Sequence, residues 1–302
     1  MGIRETRELR VGDLYEELRP YLFAIAYRMV GSVSDAEDIV QEAFLRFHRA
    51  TGEGNVVESP KAYLSAVTTR LGIDHLRSAR VRRESYVGQW LPEPLLTDEA
   101  PEVSQHAETA DSLSLAFLVL LESLSPVERA VFLLREVFGY GYDEIARVVD
   151  KSEDNCRQIA VRARRQVDAK KPRFEASRQR KEELAQRFFA AATEGDAEGL
   201  LHLLAADVVA YGDGGGKGPA LLRPVFGRDR VARLFAGFRA RAEEFRVNSL
   251  QPATINGQPG AVFFDPEGHP IVVVSLDIAD DQVQAIRAVS NPDKLSHLHG
   301  LG

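Results

Sequence analysis

The sequence predicts a multidomain chain, two all-α domains followed by an α+β domain. Three observations predict it. Apolar residues recur at helical steps over residues 11–85 and again over 111–171. Between them, residues 86–110 carry Pro92, Pro94 and Pro101 among several acids, which is the composition of an extended linker. From Pro172 to residue 302 the order becomes helix, helix, strand, helix and then consecutive strand-like runs, an α+β order.

Composition bounds the function. A length of 302 residues suits two or three small domains, and 44% hydrophobic content is enough for packed cores. The net charge is −7 and the pI about 5.6. A protein that binds DNA unaided usually carries a basic excess. Nucleic-acid contact is therefore expected from local basic patches, or in a complex where a partner supplies much of the affinity. One cysteine excludes an intramolecular disulfide and a cysteine-built metal site. No metal or cofactor is expected. Residues 1–13 lack a hydrophobic signal core, and no apolar run approaches a membrane span. The expected location is the cytoplasm.

In the first domain, Leu14, Leu18, Leu22, Ile25 and Met29 form one helical stripe that Gly31 ends. Ser34 and Glu37 then read as a capping box. In the helix that follows, Ile39, Val40, Ala43, Phe44 and Phe47 share one side, and Asp38, Gln41 and Glu42 another. Read alone, that polar side is a solvated helix surface. After the loop at 51–60, Pro60 starts a helix with Tyr63, Leu64, Val67, Leu71 and Leu76 as its apolar part. Arg70, Asp74, Arg77, Arg80, Arg82 and Arg83 mark its other sides.

The linker contains WLPEP, residues 90–94, with the only tryptophan of the chain. Its prolines make it a stiff candidate docking peptide. The second domain holds another helix start at Ser125, Pro126 and Glu128, then a short helix from Tyr142, a turn at Asp150 and Lys151, and a helix capped by Ser152. This is a helix-turn-helix pattern. Ile145, Ala146, Val149, Cys156, Ala160 and Ala163 would pack inside. Asn155, Arg157, Gln158, Arg162, Arg164 and Arg165 remain outside, where arginines and amides can read base edges or hold phosphates. Cys156 reads as a small buried hydrophobe.

In the third domain, strand-like runs cover residues 245–250, 261–264, 271–278 and 283–289, and a helix covers 227–244. Asp213, Asp265, His269 and Asp277 are the candidate acid–base groups, but none forms a dyad at a diagnostic spacing. No catalytic residue is assigned. The loop DGGGK, residues 213–217, lacks the phosphate-loop spacing and the Ser/Thr after its lysine, and reads as a tight connector. NPDKL, residues 291–295, follows the last strand.

Several of these stretches resemble known families. DAEDIVQEAFLRF, residues 35–47, resembles region 2 of a bacterial sigma factor of the extracytoplasmic-function (ECF) class. The helix-turn-helix resembles region 4, with Asp150 where a turn glycine is common and Ile159 at a position often basic. The third domain is similar to the SnoaL-like branch of the NTF2-like fold, a curved sheet wrapped on helices around a cone-shaped cavity. WLPEP, DGGGK and NPDKL match the signatures of the SigJ-type group, and the resemblance covers nearly the whole chain.

The resemblance implies a chain without enzymatic activity that directs core RNA polymerase to promoter DNA. Asp35, Glu37, Asp38, Gln41 and Glu42 would dock on the β′ clamp, and region 4 would meet the β flap. Arg70, Asp74 and Arg77 would read the opened −10 element, with Arg80, Arg82 and Arg83 on phosphates. Asn155, Arg157, Gln158, Arg162, Arg164 and Arg165 would bind the −35 element. It also implies regulation in cis through an interface of Trp90, Leu91, Pro92, Glu93, Pro94, Asp213, Gly214, Gly215, Gly216, Lys217, Asn291, Pro292, Asp293, Lys294 and Leu295. A small-molecule ligand could enter the C-terminal cavity, and no separate anti-sigma factor would be needed. The alternatives are a stand-alone helix-turn-helix regulator and an enzyme fused to a DNA-binding module.

Overall fold

The computed structural model describes residues 2–83, 86–97, 110–169, 177–238, 240 and 245–298, with side chains at all of these except 2–12, 80–83, 110 and 111. It divides into two compact units. One comprises Met1–Arg82, Ala100–Leu113 and Leu120–Lys170, and the other Arg83–Glu99, Ser114–Val119 and Lys171–Gly302.

The first unit opens with α1 (Gly2–Val30), α2 (Val33–Gly52) and α3 (Pro60–Arg83). Gly31 at φ 70° ends α1, its N–H donating to Tyr27 O at 2.8 Å. The next helix is capped by Ser32, not Ser34: the Ser32 hydroxyl accepts from Asp35 N at 3.1 Å. Starting at Val33 puts Val33 and Ala36 on the buried side with Ile39, Val40, Ala43, Phe44 and Phe47, so the core outvotes the local cap signal. In α3, Leu64, Val67, Ile73 and Leu76 are buried, whereas Leu71 is only half-buried.

A 3-10 turn, Ala110–Leu113, precedes α4 (Leu115–Leu121). Then come α5 (Pro126–Phe132), a π turn Leu133–Val137, α6 (Tyr142–Val149) and α7 (Glu153–Asp168). The expected box forms on α5: Ser125 accepts from Glu128 N, and Glu128 from Ser125 N. Those hydrogen bonds hold the Glu128 carboxyl below its ordinary range. Asp150 ends α6 in the left-handed region at φ 53°, which a short polar side chain tolerates. Ile145, Val148, Cys156, Ile159 and Ala160 pack with Val131 and Leu134. Val148 is buried in this cluster as well, and the expected Ala146 and Val149 pack against it while half-buried.

Buried cations fasten α1 to the helices after it. Arg28 is 1% exposed and donates to Ser112 Oγ (3.2 Å) and Ala24 O (3.2 Å), with its guanidinium 5.7 Å from the Phe138 ring centre. Arg129 donates to Met29 O (2.7 Å) and Glu122 (2.8 Å). Burial pushes both guanidinium groups down to about 10. The hydroxyls of Tyr21 and Tyr140 meet at 2.8 Å. Such contacts tolerate little slippage, since a displaced partner leaves a buried charge unpaired.

The second unit contains α8 (Arg178–Glu194), α9 (Ala197–Leu203), β1 (Leu204–Asp213), β2 (Val225–Phe226), α10 (Arg228–Ala236), β3 (Ser249–Ile255), β4 (Gln258–Phe264), β5 (Pro270–Ala279), β6 (Gln282–Val289) and α11 (Pro292–Leu295). The strands form one six-stranded sheet in the order β2-β1-β6-β5-β4-β3, with β1 parallel to β6 and the other pairs antiparallel. The strand expected at 245–250 lies instead at Ser249–Ile255. Pro252 sits inside it, which an edge strand accepts because one side of its ladder is unpaired. Of the helix expected over 227–244, Arg228–Ala236 is helical, Gly237 is a turn, and Phe238 and Ala240 are helical again, while 239 and 241–244 lie outside the described residues.

One face of the sheet carries the helices. Phe188, Phe189, Phe235, Phe238 and Phe263 fill it, with ring centres 5.1–6.3 Å apart where they touch. The opposite face packs Val262, Phe264, Val273 and Val289 against Leu91, Leu96, Leu115, Leu295 and Leu298. Strand alternation assigns Tyr211 and Asp213 to this second face, because Val208 and Ala210 point into the helix-side core.

Candidate functional sites

On α2 the five acidic and polar residues lie together on one open side. Asp38 and Gln41 are exposed, and Asp35, Glu37 and Glu42 are half-buried. Glu37 pairs with Arg19 at 2.9 Å, Glu42 with Arg46 at 2.8 Å, and Asp35 faces His75 at 3.4 Å. Leu45 belongs to the same surface and was missed: it lies three and four residues beyond Glu42 and Gln41 and is 52% exposed. A leucine on the polar side of the helical wheel was the available signal.

On α3, Asp74 and Arg77 are exposed and pair with each other at 3.1 Å. Arg70 is exposed but already engaged. Its Nε donates to Val148 O at 2.9 Å and its Nη2 to Arg147 O at 2.7 Å, both at the end of α6. The side chains of Arg80, Arg82 and Arg83 lie outside the described residues.

The outer side of α7 presents Asn155, Arg157, Gln158, Arg162, Arg164 and Arg165, all exposed. Ser152 starts the helix by accepting from Asn155 N. Arg157 is shared among Glu153, Asp154 and the Tyr142 ring, and Arg164 pairs with Glu136 at 3.1 Å. Val161, 47% exposed, sits between Gln158 and Arg165 and is a second apolar residue that was missed. Ile159, at the position often basic, is 3% exposed and belongs to the core. Cys156 is fully buried, and burial pushes its thiol up.

The three short motifs of the second unit converge on Asp213. Its carboxylate is fully buried at the end of β1. Oδ1 accepts from the Tyr86 hydroxyl (2.5 Å) and Gly215 N (3.1 Å), and Oδ2 from Leu91 N (2.7 Å) and the Lys294 ammonium (2.7 Å). Lys294 also donates to Leu91 O and stands 4.3 Å from the Trp90 ring centre. Asn291 caps α11 through Asp293 N and donates to the Tyr86 hydroxyl at 2.9 Å. Lys217 pairs with Asp293 at 2.5 Å. Burial, then the bond to Asp213, raises the Tyr86 phenol above its ordinary range.

From this anchor the linker crosses the sheet. Leu95 N donates to Asn256 Oδ1 and Thr97 N to Thr254 O, and Leu96 bridges Ile255 on edge strand β3. His297 contacts Pro94 O at 2.8 Å. Four strand spacings separate β1 from β3, about 19 Å. The five steps from Leu91 to Leu96 cover about 17 Å only when extended, which is what Pro92 and Pro94 enforce. Residues 91–97 are buried along this path, and they cover part of an otherwise open sheet edge.

The acid–base candidates do not come together. Asp265 and His269 hold each other in an exposed turn, where the His269 backbone N–H leads in lowering the Asp265 carboxyl. Asp277 is bonded to Arg287, which burial pushes down to about 10. Asp213 is consumed by the linker anchor. Strand alternation puts Asp213 and Asp277 on the face opposite the phenylalanine-filled side, since Ala210 and Leu276 belong to the helix-side core.

Three family models match the chain. The family described as Sigma-70 region 2 matches residues 14–82, Sigma-70, region 4 matches 114–167, and the SnoaL-like domain matches 185–290. The chain is 37% identical over 293 residues to the ECF RNA polymerase sigma factor SigJ of Mycobacterium tuberculosis, covering 93% of this chain and 92% of that one. It is 32% identical over 283 residues to a probable ECF RNA polymerase sigma factor, SigI, of the same species, covering 93% of each. The crystal structure of M. tuberculosis SigJ superposes with a TM-score of 0.74 at 34% identity, over 94% of this chain and 98% of that one.

Proposed function

The chain belongs to the family of extracytoplasmic-function RNA polymerase sigma factors, and from that premise we propose that its SnoaL-like unit controls promoter engagement in cis. The observation that carries this reading is the anchored linker. Residues 86–97 connect the region 2 and region 4 segments in sequence, and they are bound along the SnoaL-like sheet through Asp213, Lys294 and Asn256.

A sigma factor must place region 2 and region 4 on two separate promoter elements. In the compact state the linker is held and α1 is fastened to the helices of region 4. Core polymerase favours an open state by binding it better, the only way a partner shifts such an equilibrium. The side chains Asp35, Glu37, Asp38, Gln41, Leu45 and Glu42 dock on the β′ clamp, and region 4 on the β flap. Arg70, Asp74 and Arg77 engage the −10 strand. Asn155, Arg157 and Gln158 read −35 bases from the first turns of α7, and Arg162, Arg164 and Arg165 hold phosphates. Control through the chain's own linker makes a separate anti-sigma factor unnecessary and a cytoplasmic location sufficient. Among the described residues no helix is long and apolar enough to cross a membrane.

The SnoaL-like unit is a regulator and not an enzyme. Its four candidate acid–base groups are engaged in an anchor, a turn and an ion pair, and phenylalanine rings occupy the helix side of the sheet. Polymerase, rather than a ligand in that interior, is the opening partner. Transcription with core RNA polymerase on a randomised promoter library tests the reading, comparing the full chain with chains ending at residues 171 and 290. Equal initiation by all three overturns control in cis.

A further inference from the structure

We propose that Arg70 is a latch, the side chain that closes the compact state and that the open state needs for DNA. The inference rests on the two-state reading above and names the contact that sets its balance. Helix α6 ends with carbonyls that its own backbone leaves open. At its left-handed end the N–H groups of Asp150 and Lys151 both turn back to Ala146 O. The next two carbonyls, of Arg147 and Val148, are the ones that Arg70 takes, at 2.7 and 2.9 Å. Two nitrogens of one planar guanidinium meet two carbonyls at the negative end of a helix, a match that a point-charge ammonium cannot reproduce.

The contact joins two segments that act at different promoter elements. Arg70 lies 78 positions before Val148, on the helix that carries Asp74 and Arg77. The helix it caps is the first of the helix-turn-helix. A guanidinium spent on Arg147 O and Val148 O is not available to a phosphate or an unstacked base. Closing the unit and gripping the −10 strand are therefore mutually exclusive uses of one side chain. Tyr21–Tyr140 and Lys61 over the Tyr21 ring at 4.3 Å belong to the same joint but use no expected DNA contact.

The test is a pair of spin labels on the full chain, replacing exposed Glu53 after α2 and exposed Ala169 after α7, with buried Cys156 changed to Ala. Distances between the labels are measured for the otherwise unchanged chain, Arg70→Ala and Arg70→Lys, and circular dichroism checks helix content. The latch predicts one short distance in the unchanged chain. In Arg70→Ala a longer population rises at least about tenfold, the change expected for loss of even one hydrogen bond from a charged donor, and Arg70→Lys falls between. If Arg70→Ala loses its helix content, Arg70→Lys decides alone. A short distance that neither substitution alters overturns the latch and leaves the compact state standing. A long, broad distribution in the unchanged chain overturns the compact state itself, and the latch with it.

Discussion

The Lys294 ammonium lies 2.7 Å from Asp213 Oδ2, and both side chains are buried, at 7% and 0% exposure. This pair joins the end of β1 to α11, and Leu91 of the linker bonds to both members. Removing one member leaves the other as an uncompensated buried charge. Lys294→Met is expected to destabilise the SnoaL-like unit by about 3–5 kcal/mol. Urea unfolding followed by Trp90 fluorescence measures this, since the only tryptophan stands beside Lys294. The double variant Asp213→Asn, Lys294→Met should lose less than the two single losses added.

Tyr86 supplies a pH signature. Its phenol is held above its ordinary range by burial and by its bond to Asp213. The folded chain therefore keeps a proton that the unfolded chain releases, and stability falls as pH rises above about 10. Tyr86→Phe should reduce that alkaline slope, to which the Tyr21 phenol, raised by its own burial, also contributes, and cost about 1.5–3 kcal/mol at neutral pH, for a hydrogen bond to a charged group. Urea midpoints of both chains across pH 7–11 give the answer.

Leu45 is exposed beside Gln41 and Glu42, so its replacement reports on docking and not on folding. Leu45→Glu should change stability by no more than about 0.5 kcal/mol. It should weaken core polymerase binding about tenfold or more, as loss of an apolar anchor at an interface does. Fluorescence anisotropy of labelled chain against core polymerase measures it. The same substitution at exposed Val56, which lies in the loop after α2, is the control.

The sequence carried the helical stripes, the Ser125 box, the helix-turn-helix and the linker's extension, because each follows from contacts within a few residues. The sequence favours Ser34 over Ser32 because a local cap pattern cannot show that Val33 must reach the core. The edge strand reads too early in the sequence because Pro252 argues against a strand until the sheet's free side is known. The Asp213 anchor draws on residues 81 positions apart, and only the motifs' resemblance pointed to their meeting. In the sequence Arg70 reads as a DNA contact alone, since its carbonyl partners lie 77 and 78 positions away and carbonyls leave no mark in a sequence.

The most direct test of control in cis is initiation by core RNA polymerase with the full chain and with its Lys294→Met variant, on one randomised promoter library. Trp90 fluorescence confirms beforehand that the linker has left its anchor. The account predicts that the variant binds core polymerase more tightly than the unchanged chain and yields more transcript, because the compact state no longer competes. A freed linker with transcript yield unchanged or lowered would contradict it.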